Sequence, residues 1–528
     1  MTNAWWQTAV LYQIYPRSFQ DSDGNGVGDL KGIIARLPHL TELGVDALWL
    51  SPIFASPMAD FGYDVSDYTA IDPLFGSMRD FDDLLREAHA RGLKVVLDFV
   101  PNHTSVEHPW FRESRSSCAN ARRDWYIWRD GAPGSGPPNN WLSEFGGSAW
   151  QFDKTTGQYY YHAFLKEQPD LNWRNPDVVA AMHEVMRFWL GKGVDGFRLD
   201  AIWHLFKDDR FRDNPVNTDF RPGDPPDRRL LQIYSGDRPE TQGALRRMRK
   251  VVDEFPGRLL IGEAYLPFKQ LMAYYGERLS GVHLPFNFAL IKTPWQARAI
   301  AALIDEYEAA LPKDAWPNWV LGNHDKPRIA SRVGEAQARV AAMLLLTLRG
   351  TPTLYYGDEI GLPQAAIPPD RVQDPLEKNV PGLGLGRDGC RTPMQWDASL
   401  NAGFSRSKPW LPLTADFATR NVADEKGDAK SIYSLYRRLL AARRVHPALA
   451  NGTYRPLAAE GDVLAFLREK DGNRVFIALN LGAAPATAPM PAGASGAVVA
   501  SVLADRNGET IAGRVALRGN DGLLIALD

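Results

Sequence analysis

A chain of 528 residues is longer than one hydrophobic core supports, so more than one domain is expected, although an α/β barrel takes up much of such a length by itself. With 45% hydrophobic and 23% charged residues and a formal net charge of −3, it carries no electrostatic footprint for nucleic acid or an acidic membrane, and small neutral substrates suit that balance. No apolar run approaches the roughly 18 residues that span a bilayer, the segment MTNAWWQTAVLYQIYPRSF lacks the pattern of a secretory leader, and two cysteines, Cys118 and Cys390, lean to a reducing compartment; the expectation is a cytoplasmic monomer or homodimer.

Short β-branched or aromatic runs alternate with helical periodicity, the pattern of a parallel sheet with crossover helices. The first run is Val10 to Phe19. In DSDGNGVGD, which follows it, oxygen side chains at Asp21, Asp23, Asn25 and Asp29 surround a turn at Gly26, like the first part of an EF-hand calcium loop; Gly32 stands where the last glutamate ligand belongs. Those side chains and the Val27 carbonyl are candidate ligands for one structural Ca²⁺ or Mg²⁺, and no organic cofactor is expected.

The second strand is Ala47 to Phe54. Phe81, Leu84, Leu85 and Ala88 then give a helix one apolar face, and Gly92 supplies its stop before the third strand, Lys94 to Val100. Residues 104–170, rich in Trp, Tyr, Gly and Pro and including GAPGSGPPNN, interrupt the rhythm as an inserted small domain. Strands at Gly196 to Ala201, Leu259 to Tyr265, Gly281 to Phe288, Asn318 to Asp325 and Pro352 to Ile360 complete eight, the number of a (β/α)₈ TIM barrel. An irregular stretch at about 362–422 reads as an active-site insertion and Ser431 to Pro447 as a final helix. VLAFLREKDGNRVFIALNL then opens an antiparallel C-terminal β-sandwich. The expected organisation is a barrel over 1–103 and 171–448, an insert over 104–170 and a β domain over 449–528.

In such a barrel the carboxyl ends of the strands face the substrate. Asp200 and Glu263 sit at neighbouring strand ends, and cleaving a glycosidic bond takes two carboxyl groups, one to capture or stabilise the sugar cation and one to protonate the leaving oxygen. Asp200 is the candidate nucleophile and Glu263 the candidate acid/base, the latter holding the proton it donates. Arg198 projects to the same face of its strand as Asp200, where its charge favours the ionised nucleophile. A lone aspartate at a strand end is more often a solvated cap. Four blocks in fixed order, DFVPNH, GFRLDA, GEAY and NHD, outweigh that reading. Asp98, in the first block, is expected to support the site through hydrogen bonds.

Together these blocks resemble the α-amylase family of glycoside hydrolases. The resemblance implies that Asp325 is a third carboxylate gripping sugar hydroxyls, that His103 and His324 bond hydroxyls of the same ring, and that Tyr63 is a stacking platform. It also implies that Asp64, in GYDVSDY, and Arg391, in RTPMQW, close the non-reducing end, and that a structural metal occupies the acidic loop. QPDLNW at Gln168 to Trp173 is similar to the α-glucosidase and oligo-1,6-glucosidase subgroup, in which Phe145 and Phe164 match pocket aromatics. An aromatic in a compact insert also commonly serves that insert's own core. In the same subgroup a small residue after the nucleophile, here Ala201, accompanies α-1,4 preference. The expected function is a retaining exo-acting α-glucosidase on short oligosaccharides or α-glucosides, with transglucosylation. An oligo-1,6-glucosidase or sucrose-cleaving enzyme is the alternative, and a non-catalytic, transporter-associated sugar-binding protein the remote one.

Overall fold

Eight short parallel strands organise the computed structural model: β1 (Leu11–Ile14), β2 (Ala47–Leu50), β3 (Lys94–Phe99), β4 (Gly196–Leu199), β5 (Leu259–Gly262), β6 (Leu284–Pro285), β7 (Asn318–Val320) and β8 (Thr351–Tyr355). Residues 4–134 and 136–528 are described; the first three residues, and Ser135 of the GAPGSGPPNN segment, lie outside them. Hydrogen-bonded neighbours run β6-β5-β4-β3-β2-β1-β8-β7. The seam between β6 and β7 is bridged by a side chain: Asn318 Nδ2 donates to the Pro285 carbonyl at 2.6 Å, and its Oδ1 accepts from Asn287 N–H at 2.9 Å. Pro285 has no N–H to offer a ladder, so an amide side chain takes over the pairing.

Each expected strand exists but stops earlier than expected, because the chain turns as soon as it clears the barrel. Val10 to Phe19 breaks at Tyr15, and Pro16 starts a short helix (Pro16–Phe19), where its fixed φ and missing N–H cost nothing. Alternate strand residues divide between two cores. Leu11, Ala47, Trp49, Val96 and Ile261 fill the barrel interior, whereas Leu48, Leu50, Val95 and Leu97 face the surrounding helices.

The helix Met78–Ala90 shows why these helices form. Ser77 accepts from Asp80 N–H and Asp80 accepts from Ser77 N–H, a reciprocal cap, while Phe81, Leu84, Leu85 and Ala88 are its buried face. Between β3 and β4 lies a three-stranded antiparallel sheet (Trp128–Arg129, Trp150–Asp153, Gln158–Tyr161). After β8 the chain runs through loops and helical turns to the helix Ile432–Val445. The C-terminal region pairs a six-stranded sheet with a two-stranded one around Val463, Ala465, Phe476, Ala488 and Val515. Its leading hairpin turns at Asp471-Gly472, both with positive φ, as a tight two-residue turn requires. Among the described residues no helix is long and apolar enough to cross a membrane.

Candidate active site

A cavity of about 670 Å³ opens at the carboxyl ends of the strands. At its base Arg198 is fully buried at the end of β4, with its guanidinium 5.1 Å from the Trp49 ring. Its Nη1 donates to Asp98 Oδ1 at 2.7 Å and to Asp200 Oδ1 at 2.8 Å, and its Nη2 lies 2.7 Å from Glu263 Oε1. One guanidinium thus bridges the two candidate catalytic carboxyls. A double displacement uses two carboxyls flanking the scissile bond, about 5 to 5.5 Å apart, and two groups held on one guanidinium are arranged for that role.

Asp98 and Asp200 share one cation with Glu263, so their ionisation is linked to their neighbours' charge. Burial pushes Asp200 well above the usual carboxylate range; Arg198 opposes the shift, and Glu263 and Asp98 add to it. Burial likewise raises Asp98 to about 6 against the pull of Arg198. Arg198 therefore offsets the desolvation of Asp200 without cancelling it, a weaker effect than the spacing alone suggests.

Ala201, directly after Asp200, has φ +47° and ψ +39°. A non-glycine residue in the left-handed region is strained, and this one is held by a hydrogen bond from its N–H to Glu263 Oε2 at 3.0 Å. The kink turns the chain away just after the nucleophile and ties β4 to β5.

His324 and Tyr63 form a second layer, their rings stacked 5.3 Å apart. Gln13 Nε2 approaches His324 Nδ1 at 2.7 Å, which makes Nδ1 the acceptor and leaves the proton on Nε2 to face Tyr63 Oη at 2.7 Å. Tyr63 in turn donates to Asp98 Oδ2 at 3.0 Å. Burial lowers His324 well below the ordinary histidine range and His103 to about 4, so both are neutral hydrogen-bonding rings at neutral pH. His103 faces the Tyr63 carbonyl at 3.2 Å and Gln168 Nε2 at 3.1 Å.

The far end is where sequence and structure part. Asp64, expected at the cavity wall, is fully buried and outside the lining; its carboxylate accepts from Ala59 N–H at 2.8 Å and Asp60 N–H at 2.9 Å. The residue it thereby presents to the cavity is Asp60. The turn reverses through Phe61 (φ +52°) and Gly62 (φ +110°), where a side chain on Gly62 would also press on Pro52. Arg391 likewise lies behind the cavity, donating to the His324 carbonyl at 2.7 Å and to Asp325 Oδ1 at 2.9 Å. Arg387, four residues earlier, lines the cavity instead. It reaches Asp60 at 2.8 Å, Asp325 at 3.1 Å and Asp374 at 2.8 Å, with the Phe145 ring 5.0 Å from its guanidinium.

Burial resists ionisation of Asp325, but His324, Arg387 and Arg391 overcome it and hold the carboxyl below its usual range. Phe164 packs against His103 at 5.2 Å and His204 at 5.4 Å and, like Phe145, lines the cavity. The structure therefore brings Asp200, Glu263, Asp325, Tyr63, His103, Phe145, Phe164, Ala201 and His324 to one cavity, with Arg198 beneath it, and leaves Asp64 and Arg391 outside. Asp60, Gln168 and Arg387 were missed. Gln168 lay within QPDLNW, and Arg387 one helical turn before the arginine chosen.

In the acidic loop, the carboxylates of Asp21, Asp23 and Asp29 converge to within 4.8 Å. An all-oxygen donor set of this charge suits a hard divalent cation. Burial opposes ionisation of Asp21, but the Ser405 hydroxyl and the amides of Gly24, Gly26 and Asp23 outweigh it and keep the group below the usual range. Asn25 Oδ1 is engaged by Val27 N–H at 2.8 Å, and Asp29 also caps the helix Leu30–Leu43 through Gly32 N–H. None of these residues lines the catalytic cavity.

The family model for the alpha amylase catalytic domain matches residues 13–452. The chain is 46% identical over 506 residues to a probable alpha-glucosidase of Rhizobium meliloti (strain 1021), covering 92% of this chain and 91% of that protein. It is 40% identical over 495 residues to an oligo-1,6-glucosidase of Parageobacillus thermoglucosidasius, covering 86% of each. Among solved structures, the alpha-glucosyl transfer enzyme XgtA superimposes with a TM-score of 0.93 at 42% identity, covering 99% of this chain and 100% of that one. The chain belongs to the α-amylase family of glycoside hydrolases, in its α-glucosidase subgroup.

Proposed function

We propose that the protein is a retaining exo-acting α-glucosidase in which Asp200 attacks the anomeric carbon while Glu263 protonates the departing glycosidic oxygen. The observation that carries this reading is the sharing of Arg198 by Asp200 and Glu263 at the base of a cavity closed on its far side by Asp60, Arg387 and Asp325. A closed far end admits one terminal sugar. Asp60 and Arg387 take the end-sealing role first assigned to Asp64 and Arg391, and Arg391 becomes a positioning residue behind Asp325. Glu263 then deprotonates the water or acceptor hydroxyl that releases the glucosyl group from Asp200. Hydrolysis and transfer differ only in which acceptor arrives, so transglucosylation accompanies hydrolysis.

Ala201 lines the cavity at a backbone angle that a β-branched residue tolerates poorly, and its methyl leaves room beside the nucleophile. This supports a preference for α-1,4 over α-1,6 links; the oligo-1,6-glucosidase relative favours the opposite reading. The acidic loop holds a structural Ca²⁺ or Mg²⁺ remote from the chemistry. The unpaired Cys118 and Cys390, the first exposed, suit a reducing cytoplasm. The test is glucose release from maltose against isomaltose, with Asp200→Asn as the blank. Faster maltose cleavage is expected; faster isomaltose cleavage reverses the linkage assignment, and full activity of Asp200→Asn overturns the catalytic one.

A further inference from the structure

With the far end of the cavity sealed, the leaving group of any substrate must occupy the open side, toward the bulk solvent. That side carries three cations on three different segments: Arg228 on the long loop after β4, Lys292 after β6, and Lys326 directly after Asp325. Arg228 and Lys292 are exposed and Lys326 is half-buried, and all three line the same cavity as Asp200 and Glu263. None of them has an ion pair or side-chain hydrogen bond among the described residues, although the surface elsewhere is laced with paired arginines and lysines. The two lysines converge on one aromatic, with their ammonium groups 4.7 Å (Lys326) and 5.7 Å (Lys292) from the ring centre of Tyr265. Tyr265 is two residues from Glu263 and is stacked 4.2 Å from Phe288, so the platform is rigid and adjoins the proton donor.

The acidic side chains nearest this group act on it at a distance, without an ion pair among the described residues: Arg228 acts on Glu144 and Asp227, and Lys326 on Asp325. Glu144 is engaged by Gln232 Nε2 at 2.8 Å and faces His204 Nε2 at 3.4 Å, and it also feels Arg228. Asp227 is raised to about 8 by burial and by its neighbour Glu144, with Arg228 opposing the shift, and it accepts from Gln232 Nε2 at 3.3 Å. Although Lys292 is exposed overall, the cavity walls around its ammonium disfavour the charged form, and the nearby charges of Arg228 and Lys326 add to this, with no carboxylate opposing them among the described residues. An exposed cation cluster usually turns to nearby carboxylates; here it is left facing the leaving-group space.

We propose that Lys292, Lys326 and Arg228 form an aglycone subsite for a negatively charged group, so that the favoured substrates are α-glucosides whose leaving group is acidic, such as a sugar acid. The assignment rests on the α-glucosidase reading above and sharpens it, since it concerns the group released rather than the bond cleaved.

Maltobionate and maltitol test it, because both place glucose in an α-1,4 link to an open-chain aglycone and they differ by a carboxylate in place of a CH₂OH. At low ionic strength the ratio of their kcat/KM values is expected to favour maltobionate on the order of tenfold. The ratio should fall as salt is added, and fall again in Lys292→Gln and in Arg228→Gln. Each variant supplies its own ratio, so a general loss of folding or activity cancels. A wild-type ratio of one or below, or a preference indifferent to salt and to both variants, overturns the subsite while leaving the glucosidase reading intact. Failure to cleave either compound overturns the glucosidase reading and the subsite with it.

Discussion

Replacing Arg387 by alanine removes a cation that touches Asp60, Asp325 and Asp374 at once. The guanidinium is almost entirely enclosed, and three carboxylates that now share it would be left facing one another with Arg391 and, for Asp325, Lys326 as the nearby cations. Removing one partner of a buried ionic cluster costs about 3 to 5 kcal/mol. For a chain of this size, with an unfolding entropy of about 1 kcal/mol per kelvin, that is a fall in Tm of roughly 3 to 5 °C. Loss of charged hydrogen bonds at the closed end of the cavity should also lower kcat/KM on maltose by about 10- to 100-fold.

The deficit depends on pH in a definite sense. Burial opposes ionisation of Asp374, and Arg387 outweighs it, holding the carboxyl at about 2; Asp325 also lies below its usual range. A depressed folded-state value contributes stability that is present above the unfolded value, about 3.9, and is lost as pH falls through the folded one. In Arg387→Ala those carboxyls revert upward and take up protons. The gap in Tm between wild type and variant should therefore be nearly full from pH 7 down to about pH 4 and narrow as pH falls from there toward 2. Thermal melts across that range, followed by circular dichroism, provide the assay. Equal melting temperatures at pH 7, or a gap that does not narrow with acid, would refute the reasoning.

The acidic limb of kcat/KM should lie above the ordinary carboxylate range of about 4, because activity needs ionised Asp200 and burial raises that group; activity is lost as pH falls, and a limb at or below pH 4 contradicts the assignment. Chelation is expected to lower Tm, with Ca²⁺ or Mg²⁺ restoring it; a cation at a hundred times its Kd contributes about 2.7 kcal/mol. An unchanged melt would remove the metal from the Asp21–Asp29 loop. Asn318→Leu strands the Pro285 carbonyl and the Asn287 N–H at the barrel seam, and urea unfolding should register about 2 to 5 kcal/mol of lost stability.

Much of this site was legible because barrel chemistry sits at strand ends, and a period of two reads off which side chains face inward: Arg198 with Asp200, Asp98 with the third strand, Glu263 with the fifth. The buried face Phe81, Leu84, Leu85 and Ala88 and the Asp-Gly hairpin were legible from equally local patterns, a helical period and a turn dipeptide. The far end of the cavity was not. Whether Asp60 or Asp64 faces the cavity is decided by a left-handed reversal at Phe61-Gly62, which turns one carboxylate onto backbone amides and the other outward. Arg387 and Arg391 both lie on an irregular insertion, where no periodicity distinguishes the arginine that lines the cavity from the one that braces Asp325. The strand ends were overextended because runs such as Val10 to Phe19 stay apolar after the backbone has left the sheet.

The central claim is that Asp200 carries the glucosyl group between the two halves of the reaction. A fluorinated α-glucosyl fluoride, whose transfer is slowed more at the second step than the first, should leave the sugar attached to the protein. Mass spectrometry of the digested enzyme is then predicted to find the added sugar on the peptide containing Asp200, with none in Asp200→Asn. A label on another carboxylate, or inactivation without any covalent sugar, would contradict the account.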